Sequence, residues 1–531
     1  MERREFLTRA VLLPVAAGLA AHPIAAFGQS TPKRGGILNV VLQPEPPMLM
    51  LPINQGTTTQ VAGGKIFQSL LTFDFALKPL PSLAKSWTVS PDGLTYTFKL
   101  EENVKWHDGK PFTSADVVFS TQVFLMDVHG RARANFGRVA SAETPDAHTV
   151  VYKLKEPFGP FLHAFEVSSA PLVPKHIYEN TDFRANPANN APIGTGPFKF
   201  KSWTRGSNIE LVRNENYWKP GLPYLDGISF RIIPDASLRA VALETGQAHA
   251  SQFDAVEPFE VQRLAALPHM TMTTKGYEFV SPIMWIDINN RRAPLNDKRV
   301  RQAFLHALDR DFILKSLFFG MGKVATGPIA STTRFYDANV PKYPFDPAKA
   351  EALLEAAGHK KGADGVRLKV KCMVLPYGEV WQRLAEYTRQ AFAKVGIQLT
   401  LESTDVAGFW KKSTEDDYEI TFNYLSQFAD PALGVSRAYI STNIRRGVPS
   451  TNIGAYTNPK VDELFEKGAK GITDAERQAA YSEVQKILVE DVPVAWILEM
   501  AWPNFVNKKV HDVITTGIGP VESYDRAWME S

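Results

Sequence analysis

From Leu94 to Leu100 every second residue is apolar, with Leu94, Tyr96, Phe98 and Leu100 separated by Thr95, Thr97 and Lys99. A period of two predicts a strand with one buried face, entered through the turn residues Pro91-Asp92-Gly93. Beyond the polar loop Trp106-His107-Asp108-Gly109-Lys110 the spacing changes. Thr113 is placed to cap a helix starting at Ser114, Asp116 takes the acidic position of a capping box, and Val117, Val118 and Phe119 form the apolar side.

The same two periods recur along the chain. Ile37 to Leu42 reads as a strand, stopped by Gln43-Pro44-Glu45-Pro46-Pro47 because proline has no donor for a ladder. After the segment Pro192-Ile193-Gly194-Thr195-Gly196-Pro197, strands carry Phe198 and Phe200, then Ile209 and Leu211. Val280 to Ile288 is an apolar strand. Asn296-Asp297 then caps a helix with Val300, Ala303, Phe304, Ala307 and Leu308 at helical spacing. Asp346-Pro347 opens a helix with Leu353 and Leu354 inward and Gly358 at its end. Residues 366–402 read as one βαβ unit: a strand from Leu368 to Val374, a helix from Glu379 to Val395, Gly396 as the stop, and Ile397, Leu399 and Leu401 on a second strand. Such a unit implies a parallel pair with a right-handed crossover. Tyr418 to Leu425 is a further strand, Thr473 to Glu490 an amphipathic helix, and Val492 to Leu498 a last strand. The pattern predicts an α/β protein with helices on sheet faces.

In open α/β sheets ligands sit beyond the carboxyl ends of the strands. Two loops occupy that position, Leu375-Pro376-Tyr377-Gly378 and Ser426-Gln427-Phe428-Ala429-Asp430, each pairing an aromatic with irregular backbone. Tyr377, Phe428 and Asp430 in these loops, and Tyr424 on the strand feeding the second, are candidate ligand contacts. The alternative is that the aromatics simply plug the sheet end.

The chain has 531 residues. Single cores stop growing near ~250–300 residues, so two or more lobes are expected. The net charge of +3 excludes an electrostatic argument for nucleic acid or anionic membrane. One cysteine, Cys372, cannot form an internal disulfide, and its place in an alternating run reads as a small buried hydrophobe. Arg3, Arg4 and Arg9 flank the start of an apolar stretch from Ala10 to Ala21, and Ala26-Phe27-Gly28 supplies small residues for cleavage. This predicts a secretory signal over residues 1–28, with Arg3-Arg4-Glu5-Phe6-Leu7 in the twin-arginine pattern. No cysteine follows it to carry a lipid, and no later run of ~18 apolar residues suggests a span, so an exported, unanchored, periplasmic protein is expected.

No GxxxxGK[ST], GxGxxG, HExxH or GxSxG motif is found. His107-Asp108 could be a polarised imidazole, but Gly109 and Pro111 favour a tight turn. The histidines form no cluster that favours a metal, so neither cofactor nor metal is expected.

Longer blocks carry a family resemblance. Leu83-Ala84-Lys85-Ser86-Trp87, Asp92 through Leu100, and Val104 through Val118 resemble the signature of extracellular solute-binding family 5, the dipeptide-, oligopeptide- and nickel-binding proteins of ABC importers. Gly194-Thr195-Gly196-Pro197-Phe198, Asp297 through Ala303, Asp346 through Ala350, Tyr456-Thr457-Asn458-Pro459 and Asp491-Val492-Pro493 follow in family order. The resemblance implies a fold like that of type II periplasmic binding proteins, with two lobes in three domains and the ligand cleft between the lobes. Domain I would comprise residues 35–75, 190–280 and 500–531, domain II 76–189 and domain III 281–499. It implies a monomer that closes over a peptide or small organic solute, docks on membrane permease subunits, binds no nucleic acid and catalyses nothing. A periplasmic hydrolase or a chaperone-like receptor on the same fold is the alternative.

By the same analogy the loop Gln55-Gly56-Thr57-Thr58 enters the cleft. Family dipeptide binders place an arginine just before Pro-Tyr to hold the ligand carboxylate; here Leu375 precedes Pro376-Tyr377. They place an aspartate three residues before Asp-Pro to hold the free amine; counting back from Asp430-Pro431 gives Gln427. A buried charge without a partner costs several kcal/mol, so a zwitterionic dipeptide is expected to bind poorly.

Overall fold

Three sheets of four or more strands, with two small two-stranded ones beside them, organise the protein, whose computed structural model describes residues 31–530. The expected export signal over residues 1–28 lies outside the described residues.

The first sheet has seven strands in the order Met270–Thr273, Asn504–Asn507, Ala250–Ser251, Ile37–Leu42, Gly227–Ile232, Asn208–Arg213 and Phe198–Thr204. Ile37–Leu42 runs parallel to Gly227–Ile232, with Leu38 beside Ile228 and Val40 beside Phe230. One sheet thus collects strands from both ends and the middle of the chain. A four-stranded antiparallel sheet, Ala84–Val89, Thr95–Leu100, Thr149–Leu154 and Val139–Asp146, joins the same apolar core. In Thr95–Leu100 the side chains of Tyr96, Phe98 and Leu100 are buried and Lys99 is exposed, as the alternation requires. Asp116 accepts from the Thr113 backbone N–H at 2.9 Å, so an aspartate completes the acidic half of the cap at the start of Ser114–Phe119.

The second large sheet has six strands in the order Gly322–Val324, Val494–Met500, Ile283–Ile288, Ile420–Leu425, Leu368–Met373 and Ile397–Glu402. All six residues of Ile283–Ile288 are buried, because cores lie on both faces: Met284, Ile286 and Ile288 point to one, Ile283 and Trp285 to the other. The βαβ unit is present as Leu368–Met373, the helix Glu379–Lys394 and Ile397–Glu402, with the strands parallel and Leu368 beside Ile397. Gly396 ends the helix at φ +84°, a conformation that glycine adopts without a Cβ clash. Cys372 is buried within this sheet, and burial pushes its thiol pKa up.

Several boundaries fall later than the pattern predicts, and the strand expected from Val280 begins at Ile283. The strand expected from Tyr418 begins at Ile420. The helix expected to end at Glu490 runs through Asp491, and Val492 turns at φ +46°, so the last long strand starts at Val494. Two short segments pass between the large sheets: residues 274–282, from Met270–Thr273 to Ile283–Ile288, and residues 501–503, from Val494–Met500 to Asn504–Asn507. The first segment ends beside the start of the second, where Met500, the last residue of Val494–Met500, donates its N–H to Pro282 O at 2.9 Å.

Candidate functional site between the lobes

Strand ends of the six-stranded sheet bring aromatic side chains to the crossing segments. Tyr424 lies near the end of Ile420–Leu425. Tyr377 follows Leu368–Met373, and Gly378, at φ +113°, turns the chain into the helix that carries Trp381. Trp381 stacks on Tyr424 with ring centres 5.9 Å apart and planes 14° off parallel. Tyr377 and Trp502 meet Tyr424 edge-on, with ring centres 6.4 and 6.2 Å from it. The Tyr377 hydroxyl is fixed by the Trp410 indole N–H, which donates to it at 2.9 Å.

These rings line a cavity of about 100 Å³ between the six-stranded sheet and the segment 254–261 that follows strand Ala250–Ser251 of the seven-stranded sheet. Phe318, Met321, Val380 and Met500 complete one side; Asp254, Val256, Glu257, Val261, Trp502 and Pro503 form the other. A second recess of about 290 Å³ shares Met321, Met500 and Ala501 with it and is bounded by Lys275, Glu278, Lys323 and Glu499. The cleft therefore has an aromatic chamber and a polar extension. A recess of about 500 Å³ lined by residues such as Phe67, Lys219, Asp512 and Asp525 is larger. The six-stranded sheet supplies none of its wall, so closure of the lobes would not enclose a solute there.

Asp254 sits on a constrained turn. Phe253 before it is at φ +55°, and its N–H donates to the Tyr277 hydroxyl at 2.7 Å, which in turn donates to Asn504 Oδ1 at 2.9 Å. Asp254 is accessible to water through the cleft, yet the protein around it removes much of its solvation, and this desolvation raises its carboxyl pKa. Burial likewise raises the Tyr424 hydroxyl pKa, with the Asp254 charge adding to it.

Of the residues expected from the sequence, Tyr377 and Tyr424 line the aromatic chamber; the others do not. Leu375 is buried in the hydrophobic core. The Gln427 amide is used internally, accepting from Ala330 N–H at 2.9 Å and donating to Pro328 O at 2.8 Å. Phe428 is buried beneath the Arg131 guanidinium, 4.0 Å from its ring centre. Asp430 is buried and bound to Arg477. Thr57 and Thr58 begin the helix Thr57–Gly63 with Gly56 at its cap, and Gln55 O accepts from Gln60 Nε2 at 2.6 Å. His107 is a docking residue: its backbone N–H donates to Gly194 O at 3.0 Å, and its ring hydrogen-bonds Gly196 O at 2.9 Å. Among the described residues no cluster of His, Cys, Asp or Glu is arranged to hold a metal, and no helix is long and apolar enough to cross a membrane. Sequence reading missed Asp254, Trp381 and Trp502. Trp381 carried a usable signal, one turn into the helix after the Tyr377 loop.

Known proteins share this architecture. The family described as bacterial extracellular solute-binding proteins, family 5 Middle, matches residues 78–445. The oligopeptide-binding protein AppA of Bacillus subtilis (strain 168) is 28% identical over 500 residues, covering 90% of each chain. The glutathione-binding protein GsiB of Pectobacterium atrosepticum is 30% identical over 455 residues, covering 83% of each. The solved structure of DppA from Helicobacter pylori, an ABC transporter-associated periplasmic binding protein in complex with peptide STSA, matches with a TM-score of 0.79 at 25% identity, over 94% of this chain and 99% of that one. The chain belongs to family 5 of the bacterial extracellular solute-binding proteins.

Proposed function

We propose that this protein is the substrate-binding component of an ABC importer, capturing a peptide or peptide-like organic solute in the periplasm and delivering it unaltered to membrane permease subunits. The observation that carries the reading is the aromatic chamber between the six-stranded sheet and the segment 254–261 of the other lobe, with the crossing segment 501–503 in its wall. A hinge at residues 274–282 and 501–503 lets the lobes close, and contacts made only in the closed form supply the population shift. The relatives named for oligopeptides, glutathione and peptide STSA support a peptide-like ligand class.

The twin-arginine pattern at Arg3-Arg4 supports export in the folded state. The domain assignment stays at residues 35–75, 190–280 and 500–531 for domain I, 76–189 for domain II and 281–499 for domain III, acting as a monomer. Small-angle scattering and thermal unfolding with a tryptic peptide digest test the reading. The radius of gyration should fall and the melting temperature rise; ligand at a hundred times its Kd stabilises by about 2.7 kcal/mol. Consumption of the peptides, or neither change with any peptide pool, would refute it.

A further inference from the structure

The aromatic chamber contains a carboxylate that lacks a counter-ion. Among the described residues Asp254 forms no ion pair. Arg239, the cation whose charge it feels, is engaged elsewhere: it donates to Ala255 O at 2.5 Å, Ile233 O at 3.2 Å and Pro234 O at 2.6 Å, and its Nη2 lies 4.0 Å from Glu257 Oε1. Among the described residues no lysine, arginine or histidine lines the chamber, and Glu257 on its wall is already paired with Arg239 at 4.0 Å.

The other walls act in the same direction. Trp381 stacks on Tyr424 and Trp502 meets Tyr424 edge-on, and the electron-rich faces of such rings attract a desolvated cation. Closing the lobes on a neutral solute would strip water from Asp254 and leave its charge uncompensated; closing them on an anion would add repulsion. A cation removes both costs. The turn at Phe253 and the Tyr277–Asn504 bonds hold Asp254 in place before any ligand arrives, which lowers the ordering cost of binding.

We propose that the chamber selects an organic monocation, an amine carried on an apolar or aromatic body, with Asp254 receiving the ammonium group while Tyr377, Trp381, Tyr424 and Trp502 clasp the body. The anchor would then come from the seven-stranded-sheet lobe, opposite the Gln427 loop. The inference rests on the solute-binding reading above and narrows it.

Three probes with one phenylethyl body and different charge test it: phenethylamine as cation, N-acetylphenethylamine as neutral amide and 3-phenylpropionate as anion. Calorimetry and the fluorescence of the chamber tryptophans read their binding to the full-length protein. Phenethylamine should bind at least ~10-fold tighter than the amide, with the anion weakest. Asp254→Asn should weaken phenethylamine by ~10-fold or more, change the amide by less than ~2-fold and leave the urea midpoint unchanged. Equal or tighter binding of the amide or anion overturns the proposal, as does an unaffected Asp254→Asn. If no probe binds at millimolar concentration but a tryptic digest still stabilises the protein, the amine inference fails and the solute-binding reading stands. If the digest fails as well, both fall.

Discussion

Asp430 and Arg477 form a buried ion pair in which both carboxylate oxygens accept from Arg477 Nη2, at 2.7 and 2.8 Å. Arg477 Nε also donates to Gly468 O at 2.8 Å, and Asp430 accepts from Ala432 N–H at 3.0 Å. The carboxylate is therefore committed to holding the loop after Ile420–Leu425 against the helix Asp474–Asp491. Removing one partner strands the other charge in a dry site, which costs about 3–5 kcal/mol. Arg477→Met should lower the urea midpoint by that equivalent with the slope of the transition unchanged. The double variant Arg477→Met with Asp430→Asn should recover part of the loss. A single variant within ~1 kcal/mol of wild type would contradict this account.

Gln427 supports the same loop, so restoring an acid there should not create an amine site. Its Nε2 faces Pro328 O at 2.8 Å, and its Oε1 accepts from Ala330 N–H at 2.9 Å. Gln427→Glu replaces the donor with an anionic oxygen pointed at a carbonyl, and should cost about 1–3 kcal/mol near neutral pH. Protonated glutamate can donate to Pro328 O again. The folded-state pKa of the new group is then raised, so its stabilising contribution is present at acid pH and lost as pH rises through that value. Urea unfolding of the variant at pH 4.5 and pH 8 should show the larger deficit at pH 8. A deficit that grows on acidification would defeat the argument.

His129 sets an opposite slope. It is buried, its Nδ1 accepts from Ala132 N–H at 3.1 Å as the cap of Gly130–Phe136, and its Nε2 donates to Ser168 O at 3.1 Å. Burial first, and then the neighbouring Arg131 charge, lowers its pKa from 6.5 to about 3. A depressed folded-state value means that the unfolded chain takes up the proton first as pH falls. This contribution is intact above pH 6.5 and is lost progressively as pH drops through about 3. At full linkage the slope approaches about 1.4 kcal/mol per pH unit. His129→Asn keeps an acceptor for Ala132 N–H and does not titrate, so its stability should fall less steeply between pH 6.5 and pH 4. Parallel profiles for variant and wild type would show that His129 is not the group responsible.

What the chain reveals by inspection depends on how local the determining contact is. The faces of Thr95–Leu100 are set by its own alternation, and the βαβ unit by one strand, one capped helix and one glycine in sequence. Tyr377 and Tyr424 are legible as chamber-lining residues because they sit near strand ends of the six-stranded sheet, a rule about topology. Asp430 obeys the same rule and yet faces inward, since its orientation is decided by Arg477, 47 residues later in the chain. Asp254 and Trp502 belong to the opposite wall and carry no periodic signal. Only the crossing segments bring them to the chamber, and nothing within a few residues of either encodes that approach.

Gly194 and Gly196 mark a contact of the long-range kind that still leaves a trace in the sequence. The Gly196 N–H donates to Ile66 O at 2.9 Å, and a Cβ on Gly194 would lie 1.9 Å from that same oxygen. His107 closes the arrangement: Gly194 N–H donates to its Nδ1 at 3.3 Å. Backbone has come within the radius of a methyl group, so glycine is required by space alone. Gly194→Ala must push the 192–197 loop off Ile66 and should destabilise by about 1–3 kcal/mol or more, with loss of the His107 contacts. Gly130 offers the control, because it opens Gly130–Phe136, is exposed and would meet nothing within 4 Å of an added methyl group. Gly130→Ala should be neutral or stabilise by about 0.4–1 kcal/mol through the unfolded chain. Equal effects of the two substitutions in thermal unfolding would mean that crowding against Ile66 is not what requires glycine at position 194.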